Sequence, residues 1–443
     1  MSKLFLYNSK TLQKEVFKEL KKGEVSIYLC GPTVYNDIHI GNARPIVVFD
    51  VLKRVLIELG YMVKFVSNYT DVDDKIINKA KTLGVDEMSL SSLMIDEYEK
   101  IRTTLNSLKP EKTIKVSETM DDIIKFIDDL VMSGYAYEAS GDVYFRSAKL
   151  KEYGNLSHQK LSDLRHGARI KSNPKKEDPL DFTLWKKTEE GIKWPSKYSL
   201  GRPGWHSECV VMIYKEFGKK IDIHAGGKDL RFPHHENELA QSLAHSNSDL
   251  ANYWLHNGML TIGNEKMSKS LGNLVLAKDF IKDYGVNATR WLLLSSLYRD
   301  NLNFSEDNIK FFINDFNKIE STYKKAFIKL KLNNVDLKGV NDYYKEFLDK
   351  LCDDLNTPNA YTIIYELSKK INTLIRNKDL SLIDLSTNLN TLNSCLNLLG
   401  IYIKFDLSLE DLELLKNWEA AKLIKDFNTA DTYRAKLIEK GLI

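Results

Sequence analysis

Three stretches carry side chains that could do chemistry. In "FPHHENELAQSLA", His234 and Glu238 are four residues apart, so on a helix they share one face. Pro233 suits the first turn of such a helix, and His235 and Leu239 fall on a neighbouring face, with Leu243 beneath for packing. An imidazole and a carboxylate on one face can converge on a metal ion. A capped helix bearing an exposed His–Glu pair accounts for the same pattern, and the helix alone does not decide. In "GRPGWHSECVVM", Cys209 stands in what reads as an early helical turn, and Cys30 closes the apolar run "VSIYLC". Two thiols, an imidazole and a carboxylate would form a tetrahedral donor set for zinc. These residues are distant in sequence, unlike a CxxC pair, and spacing leaves Cys30 equally readable as a core residue.

"CGPTVYNDIHIGNARP" reads as a strand end, a Gly-Pro turn and a helix start, an arrangement that often holds an anion. The third stretch, "NEKMSKSLGN", sets Lys266 and Lys269 among small polar residues with glycine near both ends. Such a cationic loop can close over phosphates and neutralise developing charge. Lys-Ser loops are also common as plain solvated surface, although "KMSKS" as five consecutive residues is a specific string.

These residues need a frame. At 443 residues the chain is too long for one core. Its 43% apolar and 28% charged residues fit a globular protein, and no run approaches the ~20 apolar residues of a membrane span. The start "MSKLFLYNSK" lacks a signal-peptide shape, so a cytoplasmic protein is expected. Four scattered cysteines exclude a disulfide scaffold. The net charge of +3 neither demands nor excludes nucleic acid. Strand, turn and helix from about 25 to 50, then "YMVKFVSNYTDVDDKI", point to a parallel α/β sheet. From about 110 to 203 a helical segment and short strand-like pieces read as an insertion, after which sheet patterning resumes at "KIDIHAGG" and "WLHNGMLTIG". After about 301, long helical periodicities nearly free of glycine read as a separate bundle. Cys352 and Cys395 lie in its apolar segments and are expected to be buried.

"HIGN" at 39–42 and "KMSKS" at 266–270 resemble the two signatures of class I aminoacyl-tRNA synthetases. With "TDVDDKI", "RPGWHSEC", "GGKDLRFPHHENELAQS" and "DDLNTPNAY", nearly the whole chain is similar to the cysteinyl-tRNA synthetase family. The resemblance implies a Rossmann-like catalytic domain at 1–300 containing the insertion, then a stem-contact segment and helical anticodon-binding domain at 301–443. It implies ATP, L-cysteine and tRNA(Cys) as substrates, no membrane, and a monomer. It implies one Zn2+ on Cys30, Cys209, His234 and Glu238, and Mg2+ with ATP. His39, Asn42, Lys266 and Lys269 would be catalytic, and would bind ATP together with Gly41 and Asp229. Thr70, Trp205 and His206 would shape the cysteine pocket.

The sequence departs from the family pattern at three places. Asn42 stands where most relatives have His; it can donate a hydrogen bond but cannot become cationic. Lys228 replaces a usual Ser and is expected to face solvent. The last residues, "EKGLI", stop short of a tail that helps read the anticodon in many relatives, so that part is expected to be reduced. One alternative shares both signatures and the zinc set: a ligase joining activated cysteine to an amino sugar in thiol biosynthesis.

Overall fold

A computed structural model describes residues 2–159, 173–262, 265–266 and 274–442, the pair 265–266 by backbone alone. The β-branched and aromatic runs form a five-stranded parallel sheet: β1 (Glu24–Leu29), β2 (Met62–Tyr69), β3 (Lys112–Lys115), β4 (Ile221–Gly227) and β5 (Ala251–Asn257), in the order β5-β4-β1-β2-β3. Helices cover both faces, so central strands lose the in-out alternation; in β4, Ile221 through Gly226 are all buried. Between β1 and β2 runs α1 (Ile40–Glu58), whose Val47, Leu52 and Val55 are fully buried. Also packed on the sheet are α2 (Met120–Met132), α3 (Glu208–Phe217) and α4 (Glu236–Ser246). Their Ile123, Val210 and Leu239 share one core with Tyr28, Val66 and Ile114 of the strands.

Between β3 and β4 the short strand-like pieces pair as a second, antiparallel sheet of Ala136–Ala139, Asp142–Phe145, Phe182–Lys187, Leu200–Pro203 and Trp194–Pro195. The chain divides into two compact units: Lys3–Asp279 with Tyr298–Leu302, and Phe280–Leu297 with Asn303–Ile443.

The second unit is helical. Its long helices α5 (Glu306–Leu332), α6 (Thr357–Arg376) and α7 (Leu382–Leu398) open on Ser305, Asn356 and Ser381. Each of these side chains accepts from the backbone amide three residues on, the usual way to satisfy an exposed helix start. Trp291 stacks on Tyr361 with ring centroids 3.6 Å apart. Among the described residues no helix is long and apolar enough to cross a membrane.

Cys352 and Cys395 are both buried in this unit. Burial, with Asp349 nearby, pushes the Cys352 thiol up to about 12, and burial raises Cys395 as well. A thiol at 12 has roughly a thousandfold less thiolate at neutral pH than a free cysteine at about 8.5. Both should therefore resist iodoacetamide in the native protein and react once it is unfolded. Peptide mass spectrometry of a labelling time course reads this; rapid native labelling of either would contradict it.

Candidate metal centre and active site

The carboxyl ends of the parallel strands coincide. Leu29 stands opposite Ser67 on one side and Ala225 on the other, and Gly227 stands opposite Asn257. The residues just beyond these ends, together with the start of α1, enclose a cavity of about 240 Å³. Ligands of open α/β sheets bind at this edge. Cys30, His39, Gly41, Asn42, Trp205 and Asp229 all line the cavity.

At the Cys30 end four donor atoms converge. Cys30 Sγ is 3.5 Å from Cys209 Sγ and 3.6 Å from Glu238 Oε1. His234 Nε2 is 3.7 Å from Cys209 Sγ and 2.8 Å from Glu238 Oε1. Two thiolates each 2.3 Å from a tetrahedral zinc stand about 3.8 Å apart, so the sulfur edges already have the right length. Cys209 sits in the first turn of α3, whose Ser207 hydroxyl is spent on Gln241 Oε1 at 2.8 Å. Gln241 Nε2 returns a bond to the His206 carbonyl at 2.8 Å, tying α3 to α4. Pro233 does not lie in the first turn of α4. It falls in a wider turn, Arg231–His235, in which Phe232 is extended, as the residue before a proline prefers. His234 and Glu238 still meet across one helical turn.

Sequence reasoning set His235 on a neighbouring face with no role and passed over His224 and His256. All three are buried at this site. His224 Nε2 lies 2.6 Å from Glu238 Oε2, His235 Nε2 lies 3.3 Å from Cys30 Sγ, and His235 Nδ1 lies 2.8 Å from His256 Nε2. A second group, Cys30, His224, His235 and Glu238, is thus also within ligating reach. The two-thiol group suits zinc better, because a second soft sulfur favours it. His224 then holds the far oxygen of Glu238, the supporting contact that orients a ligating carboxylate.

The electrostatics agree with a cluster that favours a cation. Burial alone would raise Glu238, but His224 and His234 outweigh it and hold the carboxylate well below its usual range. Burial would lower His234, yet Glu238 and Cys209 push it up to about 10. The Cys30 thiol beside Cys209 draws the latter down to about 6, against burial, while burial raises Cys30 itself. Burial and His234 lower His206 to about 3.

Helix α1 starts on His39, which makes no side-chain cap, and its first turn holds no acid; Ile40 N donates to the Val275 carbonyl at 2.9 Å and Asn42 N to the His39 carbonyl at 2.9 Å. A Cβ at Gly41 would stand 2.8 Å from His39 Nδ1; glycine lets that ring fold back over the helix start. Trp205 stacks on His234 at 4.1 Å. His206 and Thr70 do not line the cavity: His206 Nδ1 is 3.1 Å from His234 Nδ1, and Thr70 Oγ1 donates to the buried Glu208 at 3.0 Å. Lys228 is exposed. Lys269 and the side chain of Lys266 lie outside the described residues.

Residues 16–314 match the family model for the class I (C) tRNA synthetase catalytic domain, and residues 346–404 match the DALR domain. A relative from Oceanobacillus iheyensis, named Cysteine–tRNA ligase, is 45% identical over 99% of this chain and 96% of its own length. One of the same name from Halalkalibacterium halodurans is 42% identical with the same coverage. Methionyl-tRNA synthetase of Mycobacterium tuberculosis, solved with methionyl-adenylate, shares the fold at a TM-score of 0.64 and 14% identity, covering 85% of this chain and 90% of that one. The amino-sugar alternative finds no support in these matches, which run through the helical region.

Proposed function

The chain belongs to the cysteine–tRNA ligases of class I, and from that premise we propose that the cavity at the sheet edge is where cysteine meets ATP. The reaction is ATP-dependent. The cysteine carboxylate attacks the α-phosphorus in line, pyrophosphate leaves, and the cysteinyl group passes to the 3′-terminal adenosine of tRNA(Cys). The observation that carries the reading is one cavity with a two-thiol donor cluster at one end and a helix start without a side-chain cap at the other.

Cys30, Cys209, His234 and Glu238 would hold one zinc. When bound there, zinc supplies a soft Lewis acid that takes a thiolate and passes over a hydroxyl. The chain then needs little further machinery to reject serine, because a site built to pair one group penalises an analogue that lacks it. Trp205 stacks against the His234 ring and closes that end of the cavity. His39 and the Gly41 amide bind phosphate oxygens, and the Asn42 side chain donates to them without needing to ionise. Asp229 takes a ribose hydroxyl. Lys266 and Lys269 steady the charge of the leaving pyrophosphate, with Mg2+ alongside. Thr70 and His206 act on the cysteine side from behind the cavity wall, through Glu208 and His234.

Residues 1–300 are read as the catalytic domain and 301–443 as the stem-contact and anticodon-binding part, in a cytoplasmic monomer; light scattering tests the last point. The main test is aminoacylation of tRNA with cysteine and serine side by side, with zinc measured on the same preparation. Cysteine charging with about one zinc per chain and no serine product is expected, and Asn42→Ala should slow activation. Charging without zinc, or equal use of serine, would overturn the reading.

A further inference from the structure

The second unit carries a groove of about 620 Å³ between α5 and α6. Lys318, Lys325, Lys369 and Arg376 stand along it, and the other lining residues are all Ser, Thr or Asn. Among the described residues no acid and no aromatic ring lines it. All four cations are exposed, and none has an ion-pair partner among the described residues. Other lysines of α5 are paired: Lys310 with Glu306 at 3.3 Å, Lys324 with Glu320 at 3.6 Å and Lys331 with Asp336 at 2.9 Å.

The two helices run parallel and in register. Tyr365 Oη donates to Asp315 Oδ2 at 2.6 Å, and seven residues further along both helices Asn372 Nδ2 donates to Thr322 Oγ1 at 2.9 Å. Thr322 is only 6% exposed, so the second bond lies at the groove floor. This register sets Lys318 level with Lys369, and Lys325 level with Arg376. The two pairs are two helical turns, or about 10 Å, apart along the axis. Like charges level with each other across one groove repel. An anion lying between them turns that cost into attraction.

The lining says which kind of anion. Lys, Arg, Ser, Thr and Asn are the side chains that meet phosphate and sugar oxygens in nucleic-acid complexes. Surfaces that hold unpaired bases add aromatic rings for stacking, and this lining has none. Two cationic pairs spaced along a trough suit an extended polyanion, and tRNA is the polyanion that the ligase reaction brings to this chain.

We infer that the groove between α5 and α6 seats the sugar–phosphate backbone of tRNA and grips it without reading its sequence. This rests on the tRNA-ligase reading and deepens it, by naming a surface that holds the RNA and the chemistry by which it does so.

The test is equilibrium binding of a tRNA(Cys) transcript, read by fluorescence anisotropy over a series of KCl concentrations. Wild type is compared with the double variants Lys318→Gln/Lys369→Gln and Lys325→Gln/Arg376→Gln. Each should bind at least about tenfold more weakly near physiological salt, and its plot of log affinity against log salt should be shallower by about 1.4–1.8. The loss should be the same for transcripts with substituted bases. The melting temperature should hold, because each variant relieves a like-charged pair. An unchanged slope in either variant would overturn the assignment. So would a loss that depends on the base substituted, which marks base reading, or weaker binding of tripolyphosphate with tRNA binding intact, which marks a small-anion site. Should a variant not fold, wild type decides by acetic anhydride labelling and peptide mass spectrometry. Bound tRNA should protect Lys318, Lys325 and Lys369, and equal labelling with and without tRNA would overturn the assignment. Binding is read without catalysis, so a wild type that fails to charge cysteine would sink the ligase reading while these measurements still decide the groove.

Discussion

Cys209→Ser is expected to purify with little zinc and to lose cysteine-dependent ATP–pyrophosphate exchange by more than about 100-fold. Removing a group that merely orients a metal ligand costs about 10–100-fold in affinity or activity, and a ligand should cost more. The serine hydroxyl is harder than a thiolate and stays protonated at neutral pH, so it cannot replace the soft donor. Its shorter reach also takes it away from His234 Nε2, which lies 3.7 Å from the sulfur. The fold should survive. Val210, Met212 and Ile213 keep α3 buried without help from residue 209, and the Ser207–Gln241 bond is untouched. Metal analysis, a thermal melt and the exchange assay on one preparation separate these effects. A variant that keeps both zinc and exchange would remove Cys209 from the donor set, and the group of Cys30, His224, His235 and Glu238 would become the candidate.

That alternative group exists because of what the sequence did not reveal. His234 and Glu238 were legible because helical spacing puts positions four apart on one face. Cys30 and Cys209 were candidates by residue type, but bringing them within 3.5 Å depends on sheet order, which places β1 between β2 and β4. His224 and His256 were not legible. Each lies in a strand buried on both faces, where hydrophobic alternation is lost and an isolated histidine looks like any core residue. The position of His256 next to the carboxyl end of its strand was the available signal; His224, in the middle of its own, offered none. The long helices of the second unit were readable because caps and 3.6-residue periodicity are local.

Gly31→Ala is expected to lower the melting temperature by roughly 3–6 °C and to release zinc. The added Cβ would stand 1.6 Å from the Asn68 carbonyl oxygen and 2.7 Å from its carbon, both backbone atoms. Neither side can give way cheaply. Gly31 N donates to Asn68 Oδ1 at 2.8 Å, Cys30 N donates to the Ala225 carbonyl at 3.1 Å, and Thr70 N donates to the Pro32 carbonyl at 3.1 Å. A clash against backbone held from three directions should cost about 3 kcal/mol or more, and each kcal/mol shifts the melt by about 1–2 °C at this size. The residues displaced are the ones that matter for metal: Cys30 is adjacent, and Asn68 Oδ1 also lies 3.9 Å from Cys209 Sγ. Gly60→Ala is the control. Nothing lies within 4 Å of its added Cβ, but its φ of +88° makes alanine costly by about 1–2 kcal/mol. Gly60→Ala should therefore melt earlier while keeping its zinc, whereas Gly31→Ala should lose both. If Gly31→Ala melts with wild type and holds full zinc, the strands do not approach as described, and the positioning of Cys30 by β2 fails with them.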